Sequence, residues 1–440
     1  MLNEIANALK KRSDLAGWTV RRLVTRGAQV YAVPQRIESQ RAVHIEKYRI
    51  DVLRQTSSPD GAPAVGSGDA TLLPGEDIQA AIEKAALMAG LVSNPVHGIP
   101  GPSEFPDVPL IDPELQADSS AVTRDVVERI RAAASRDHSL QLTAVECFGE
   151  IHSTHLVNSR GIDAEQEATR INIEFVLHSL RGEREVESFA EISRRRVADL
   201  QLEEETQRRM RHTRDLLEAK APASRRGAVV LRDDALAVFM AGDPLGGGVI
   251  QTLGSASSKY ARISPWEIGK SVFRNEVKGD LLTIWANRCL PFGTASSRFD
   301  EEGLPAQRVE LIRENQLAAF AASQRYADYL NIPATGAFGS VELPPGKLEA
   351  SALLAEPYVE IIQFSWFNPD PITGDFATEI RLGYLVENGV RRPFKGGQMI
   401  GNFLDALADV RWSAETGFFG NYLGPHTARF NDLKIAGLDE

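Results

Sequence analysis

At 440 residues the chain exceeds what one hydrophobic core usually organises, which implies two domains, and its 43% hydrophobic and 25% charged residues mark it as globular rather than disordered. The net charge of -11 excludes the basic footprint of a protein that grips a phosphate backbone, even though local clusters such as SRRRV at 193–197 exist. Two isolated cysteines, Cys147 and Cys289, fit a reducing cytoplasm, no run approaches a membrane span, and the opening MLNEIANALKKRSDLAGW lacks the apolar stretch of a signal peptide.

Residues 1–15 have the spacing of an amphipathic helix with Leu2, Ile5, Ala6 and Leu9 on one face. WTVRRLVTRGAQVYAV and AVHIEKYRIDVLRQT alternate as strands. The Ser-, Pro- and Gly-rich stretch 56–76 reads as a loop, and EDIQAAIEKAALMAGLV as a helix. Six prolines make 94–115 an extended connector, and SSAVTRDVVERIRAAASR predicts a helix capped by its opening Ser and Thr. Two long strands follow, LQLTAVECFGEIHSTHLVNS and EATRINIEFVLHSL, joined by the turn SRGID. The Arg- and Glu-dense stretch 193–220 predicts an exposed helix leading out of the first domain.

Near residue 225 the texture changes. The next segment, AVVLRDDALAVFMAGDPLGGG at 228–248, reads as a buried strand, a short apolar helix and a glycine-rich loop. Short β-like runs broken by Gly and Pro then follow: VELIRENQLAAFAAS, YVEIIQFSWFNP, FATEIRLGYLVENG and FKGGQMIGN. The expected fold class is α+β: an N-terminal domain at 1–225, with long strands and flanking helices, and a mostly β domain at 226–440.

Few residues invite chemistry. His152 and His155 in HSTH sit on opposite faces of a strand, and Cys147, on the face of His155, lies roughly 26 Å away along it. GDPLGGG lacks the Lys and Ser or Thr of a phosphate loop. Ser255, Ser257 and Ser258 have no nucleophile elbow around them, and His426 reads as a loop residue. Asp300, Glu301 and Glu302 in FDEEGLP read as a solvated turn.

Four strings taken in order give the chain a family resemblance: RFDEEGLPAQRVELIRENQLAAF, IPATGAFGS, NPDPITGDFATEIRLGYLVENGVRRPFKGGQMIGNFLDALADV and DLKIAG. Together they resemble the TldD/TldE (PmbA) family, with the block from Asn368 to Asp409 the most specific part. LVNSRGIDAEQEATRINIEF and IQAAIEKAALMAG extend the resemblance into the first half. The family is known as a zinc-dependent peptidase of two related subunits. Its catalytic member carries His-Glu-x-x-x-His on a helix after a strand ending Val-Val-Leu, with a cysteine near the C-terminus completing the site. Two imidazoles and a thiolate leave one zinc position for water, and the glutamate takes its proton.

Aligning VVL at 229–231 with that strand places Ala241, Gly242 and Gly246 at the His, Glu and His positions, and WSAETGFFGNYLGPHTARF contains no cysteine. The resemblance therefore implies a TldE-like subunit with no catalytic residue, metal or cofactor of its own. Zinc would reside in a TldD-like partner, in a heterodimer whose chamber takes unfolded peptides, to degrade them or to trim leader peptides. Thr373, Gly374, Asp375 and Phe376 of PITGDF are candidate substrate-binding residues; the competing reading is a β-turn that uses Gly374 for its backbone angles. Two other functions remain open: a peptide-binding homodimer, and a hydrolase built on His426, Cys289 or the serines of GSASS. Neither a nucleic acid nor a membrane is an expected partner.

Overall fold

The computed structural model describes residues 1–242 and 248–437, and the chain is α+β. The first half is one antiparallel sheet of β1 (Leu15–Ala32), β2 (Ile37–Ser57), β3 (Pro63–Leu72), β4 (Leu140–Asn158), β5 (Asp163–Arg181) and β6 (Arg184–Arg194), in the order β3-β2-β1-β4-β5-β6. Its helices are α1 (Leu2–Lys10), α2 (Ile78–Gly90), α3 (Pro113–Ala117), α4 (Ser119–Ala134) and α5 (Leu202–Glu218). α1 buries the expected Leu2, Ile5, Ala6 and Leu9. α4 forms where expected, but its cap is Asp118, whose carboxylate accepts from the N–H groups of Ser120 and Ala121.

Three expectations fail here. The stretch expected as a loop at 56–76 contains β3. Its glycines serve packing: a β-carbon on Gly66 would lie 1.7 Å from the Ala89 carbonyl oxygen, and one on Gly68 2.2 Å from that of Ala85. The backbone of α2 can approach this strand only because those side chains are missing. The helix expected from 193 starts at Leu202 instead, because β6 runs to Arg194, with Val186, Ser188, Ala190 and Ile192 buried in alternation. Nor is α5 simply exposed, since Thr206, Arg209, Met210, Leu216 and Leu217 are buried.

The second half opens with β7 (Arg225–Arg232) and α6 (Asp233–Ala241), followed by α7 (Val249–Leu253), α8 (Ala256–Tyr260), β8 (Ile284–Asn287), β9 (Arg308–Arg313), β10 (Gln316–Leu317), α9 (Gln324–Leu330), β11 (Ser340–Glu342) and α10 (Ala350–Leu353). Then come β12 (Tyr358–Phe364), β13 (Asp375–Glu387), β14 (Val390–Phe394), β15 (Gln398–Asn402), α11 (Phe403–Ala408), β16 (Val410–Trp412), β17 (Thr416–Phe418), β18 (Tyr422–Pro425) and β19 (Thr427–Ala436). One sheet runs β10-β9-β8-β11-β18-β17. In the other, β12 pairs with both β7 and β13, so β12, β7, β19, β15 and β13 close into a ring. Closure leaves these strands no open edge.

α6 shares one core with the ring and the second sheet. Its Phe239, 1% exposed, meets Phe367, Phe376, Phe403 and Phe430 at ring-centroid distances of 5.0, 6.0, 4.8 and 5.0 Å. Burial of a phenylalanine side chain contributes about 2–3 kcal/mol, so Phe239 anchors α6 and fixes where its last residue points.

Candidate functional site: a cleft along helix α6

The passage from β7 into α6 is tight. Asp233 takes a φ of +51°, unusual for a residue with a side chain, and its N–H donates to the His426 carbonyl at 2.9 Å. Burial raises the Asp233 carboxyl above its ordinary value, against the pull of Arg232 and Arg208. Asp234, the next residue, accepts from Arg208 Nη2 at 2.7 Å and Arg209 Nη2 at 2.9 Å. Burial pushes its carboxyl up, but Arg209, Arg208 and Arg194 outweigh that and hold it below the usual carboxylate range. Glu205 binds the same two arginines from within α5. Their field also reaches His212 of α5, which burial, Arg209 and Arg208 push down to about 3.

A cleft of about 390 Å³ opens beside α6. Ala235, Val238 and Gly242 form one wall, while Arg170 of β5 and Phe189, Ser193 and Arg194 of β6 form the facing one. Thr294, Trp366 and Phe419 add further lining. Arg195, 8% exposed, holds the 293–296 loop from behind: its guanidinium donates to the carbonyls of Gly293, Thr294 and Ser296 at 2.7, 3.1 and 2.7 Å, and to that of Thr169 at 3.2 Å. Burial lowers this guanidinium to about 10, leaving it charged at neutral pH.

Of the residues singled out in the sequence, Ala241 and Gly242 lie at the end of α6, with Gly242 on the cleft; Gly246 falls outside the described residues. Gly242 ends the helix with φ +77° and ψ 171°, a backbone region open essentially to glycine alone. The PITGDF residues lie in a tight turn. Asp370 accepts from the N–H groups of Ile372 and Thr373, Gly374 has φ +81°, and Asp375 accepts from Asn402 Nδ2 at 2.9 Å. Thr373 lines a separate cavity of about 270 Å³ with Trp266 and Asn402, and Phe376 is buried against Phe239.

The other candidates are dispersed. His152 lies 3.1 Å from Thr25 Oγ1, and His155 contacts Asp163 and Glu165 at 2.6 and 2.7 Å. Burial raises both the Cys147 and the Cys289 thiols. Ser255 caps α8, and among the described residues no hydrogen bond joins His426 to a cysteine or to the GSASS serines. The solvated turn expected at FDEEGLP needs correction. Asp300 is buried and accepts from the N–H groups of Glu302, Gly303, Leu304 and Ala337, and burial raises Glu302 to about 7; only Glu301 extends into solvent, toward Arg21.

Sequence reasoning missed Arg170, Arg194, Asp234 and Trp366 as cleft residues. A signal lay in SRRRV: along that run Arg194 lines the cleft, Arg195 is buried as a clamp, and Arg196 stacks on Phe292.

The family model of the PmbA/TldA metallopeptidase C-terminal domain matches residues 224–437. Its second half is thus a C-terminal domain of the TldD/TldE (PmbA) family. Over 99% of its length the fold is similar to TldE from Thermococcus kodakarensis (TM-score 0.80, 18% identity, 99% of that chain). It is equally similar to a Thermotoga maritima protein named as a candidate modulator of a DNA gyrase (TM-score 0.81, 20% identity, 99% of this chain and 100% of that one). A protein of Methanocaldococcus jannaschii with no described function is 25% identical over 291 residues, spanning 62% of this chain and 66% of its own length.

Zinc, which this family implies, does not fit the residues at the described motif positions. Ala241 offers a methyl group and Gly242 a hydrogen, and the Asp234 carboxylate is already committed to two guanidiniums. Among the described residues no group of three His, Cys, Asp or Glu side chains is arranged to hold a metal ion.

Proposed function

We propose that this chain is the non-catalytic, TldE-like subunit of a cytoplasmic heterodimeric zinc metalloprotease, with zinc and catalysis supplied by a TldD-like partner. In this reading residues 1–225 and 226–440 are its two domains, and the cleft beside α6 is this chain's share of a chamber in which unfolded peptides are degraded or leader peptides trimmed. The observation that carries the reading is the end of α6. The helix reaches the cleft where a catalytic member would begin its metal motif, and it ends there in Ala241 and a glycine-only backbone turn at Gly242. The family match of the second half and the likeness to a TldE fold support the same assignment.

The test is co-expression with the TldD-like protein of the same organism, purification through a tag on this chain, and cleavage of an unfolded peptide by the complex and by each chain alone. Capture of the partner, with cleavage only when the partner's metal ligands are intact, is the expected result. Failure to capture it, or cleavage by this chain alone, overturns the reading.

A further inference from the structure

A bare strand edge would bind any peptide backbone regardless of sequence, but the cleft beside α6 is not electrostatically neutral. Arg208 and Arg209 are engaged by Glu205 and Asp234. Arg170 and Arg194 stand differently. Arg170 Nε donates to Ser193 Oγ at 3.2 Å, Arg194 Nη1 donates to the Ser193 carbonyl at 2.9 Å, and among the described residues neither has a carboxylate within ion-pair distance. They come from adjacent strands, Ile171 pairing with Arg194 across the β5–β6 ladder, and both line the cleft. The field of Arg194 is already felt at Asp234, which it helps to keep ionised, and that of Arg170 at Glu150 of the neighbouring strand. Across the described lining of the cleft three guanidiniums, Arg170, Arg194 and Arg209, face two carboxylates, Glu191 and Asp234, in a chain whose net charge is -11. Beside them Trp366 is 69% and Phe189 41% exposed, large apolar surfaces open to the same space.

We infer that this cleft selects peptides carrying acidic side chains, a substrate carboxylate pairing with Arg170 and Arg194 while a neighbouring apolar side chain packs on Trp366 and Phe189. The inference rests on the subunit reading for its substrate class and adds a charge preference to it. Guanidinium–carboxylate pairing is directional and about twice as strong as a neutral hydrogen bond, so the preference is expected to be measurable even in an open cleft.

The experiment uses two fluorescent peptides of the same short, unstructured sequence, one carrying glutamates and the other glutamines at those positions. Binding is read by anisotropy, with the isolated chain and with its complex with the TldD-like partner. The glutamate peptide is expected to bind about tenfold more tightly, with the difference shrinking in high salt. In the Arg170→Gln/Arg194→Gln variant the two peptides should bind within about twofold of each other, while Arg36→Gln, which removes an exposed arginine paired with Glu38, should keep the discrimination. Equal affinity in the unsubstituted protein, discrimination that survives the double substitution, or no binding of either peptide in either preparation overturns the inference. Capture of the partner is scored separately. A chain that captures its partner without charge preference refutes only this inference, and charge preference without capture refutes only the subunit reading.

Discussion

The two walls of the cleft differ in chemistry. From α6 and its cap come Ala235, Val238 and Gly242, with Asp234 as the one polar side chain and that already engaged by Arg208 and Arg209; from β5 and β6 come Arg170, Glu191, Ser193 and Arg194. The α6 wall is fixed from beneath by an aromatic cluster around Phe239, and the β6 wall is backed by the buried guanidinium of Arg195. Groups able to recognise a peptide and the place where a family member would hold its metal thus sit on separate elements. One can be emptied of chemistry while the other keeps its charge.

Asp234 is the point where α6 is tied to α5, and its removal should have the largest effect. Asp234→Ala leaves Arg209 with Glu205 alone and Arg208 with Glu205 and the more distant Asp233 at 3.7 Å, and breaking a mostly buried ion pair costs about 3 kcal/mol. A clear fall in the urea midpoint with unchanged slope is expected; an unchanged midpoint would mean that α6 is held by its aromatic packing alone. Next is Arg195→Met, which takes a guanidinium donor away from four backbone carbonyls, of which that of Gly293 keeps the Ser296 N–H. A loss of about 2 kcal/mol and faster hydrogen exchange at 293–296 are expected, and protection unchanged in that loop would show that Arg195 does not support the β6 wall.

A carboxylate outside the cleft supplies a contrast to Asp234. Arginines hold Asp234 below its ordinary range, whereas burial raises Glu302 to about 7. Because the folded-state value lies above the unfolded one, the protonated form favours folding; this contribution is complete below about pH 4.3 and is lost as pH rises through about 7. Glu302→Gln keeps an oxygen to accept the Gln324 N–H and removes the titration. Relative to the unsubstituted protein it should gain about 2 kcal/mol between pH 5 and pH 8. Parallel stability curves would place Glu302 in a more solvated setting than its burial implies.

The smallest expected effect is at Gly242. Placing a β-carbon where φ is +77° costs about 1–2 kcal/mol, so Gly242→Ala should lower the melting temperature by a few degrees. The Ala241→His/Gly242→Glu variant should bear the same strain without gaining zinc affinity. Tight zinc binding by that variant would show that the α6 wall needs only its side chains restored to hold a metal.

Much of this architecture was legible because strand and helix periods are long-range signals. β1, β2, β4 and β5 span many residues each, and their alternation survives the loss of any one position. β3 was hidden for a specific reason: Gly66 and Gly68 are needed for the close approach of α2, and composition reads the same glycines as loop. β8, β11, β16, β17 and β18 are too short for any period to register. The cleft was less legible than the fold. Ala241 and Gly242 became meaningful only beside a family motif, while Arg170 and Arg194 are brought to one place by the β5–β6 ladder, a register that neither local stretch encodes. Phe376 shows the reverse case, an aromatic in a distinctive motif that the core takes for packing against Phe239.

The central claim, that this chain supplies the cleft and not the metal, is tested most directly by zinc content. Native mass spectrometry of this chain alone and of its complex with the TldD-like partner should show a zinc-free isolated chain and a complex with one zinc, lost when the partner's ligands are substituted and retained in Asp234→Ala. Stoichiometric zinc on the isolated chain, or zinc in the complex that survives substitution of the partner's ligands, would contradict the account.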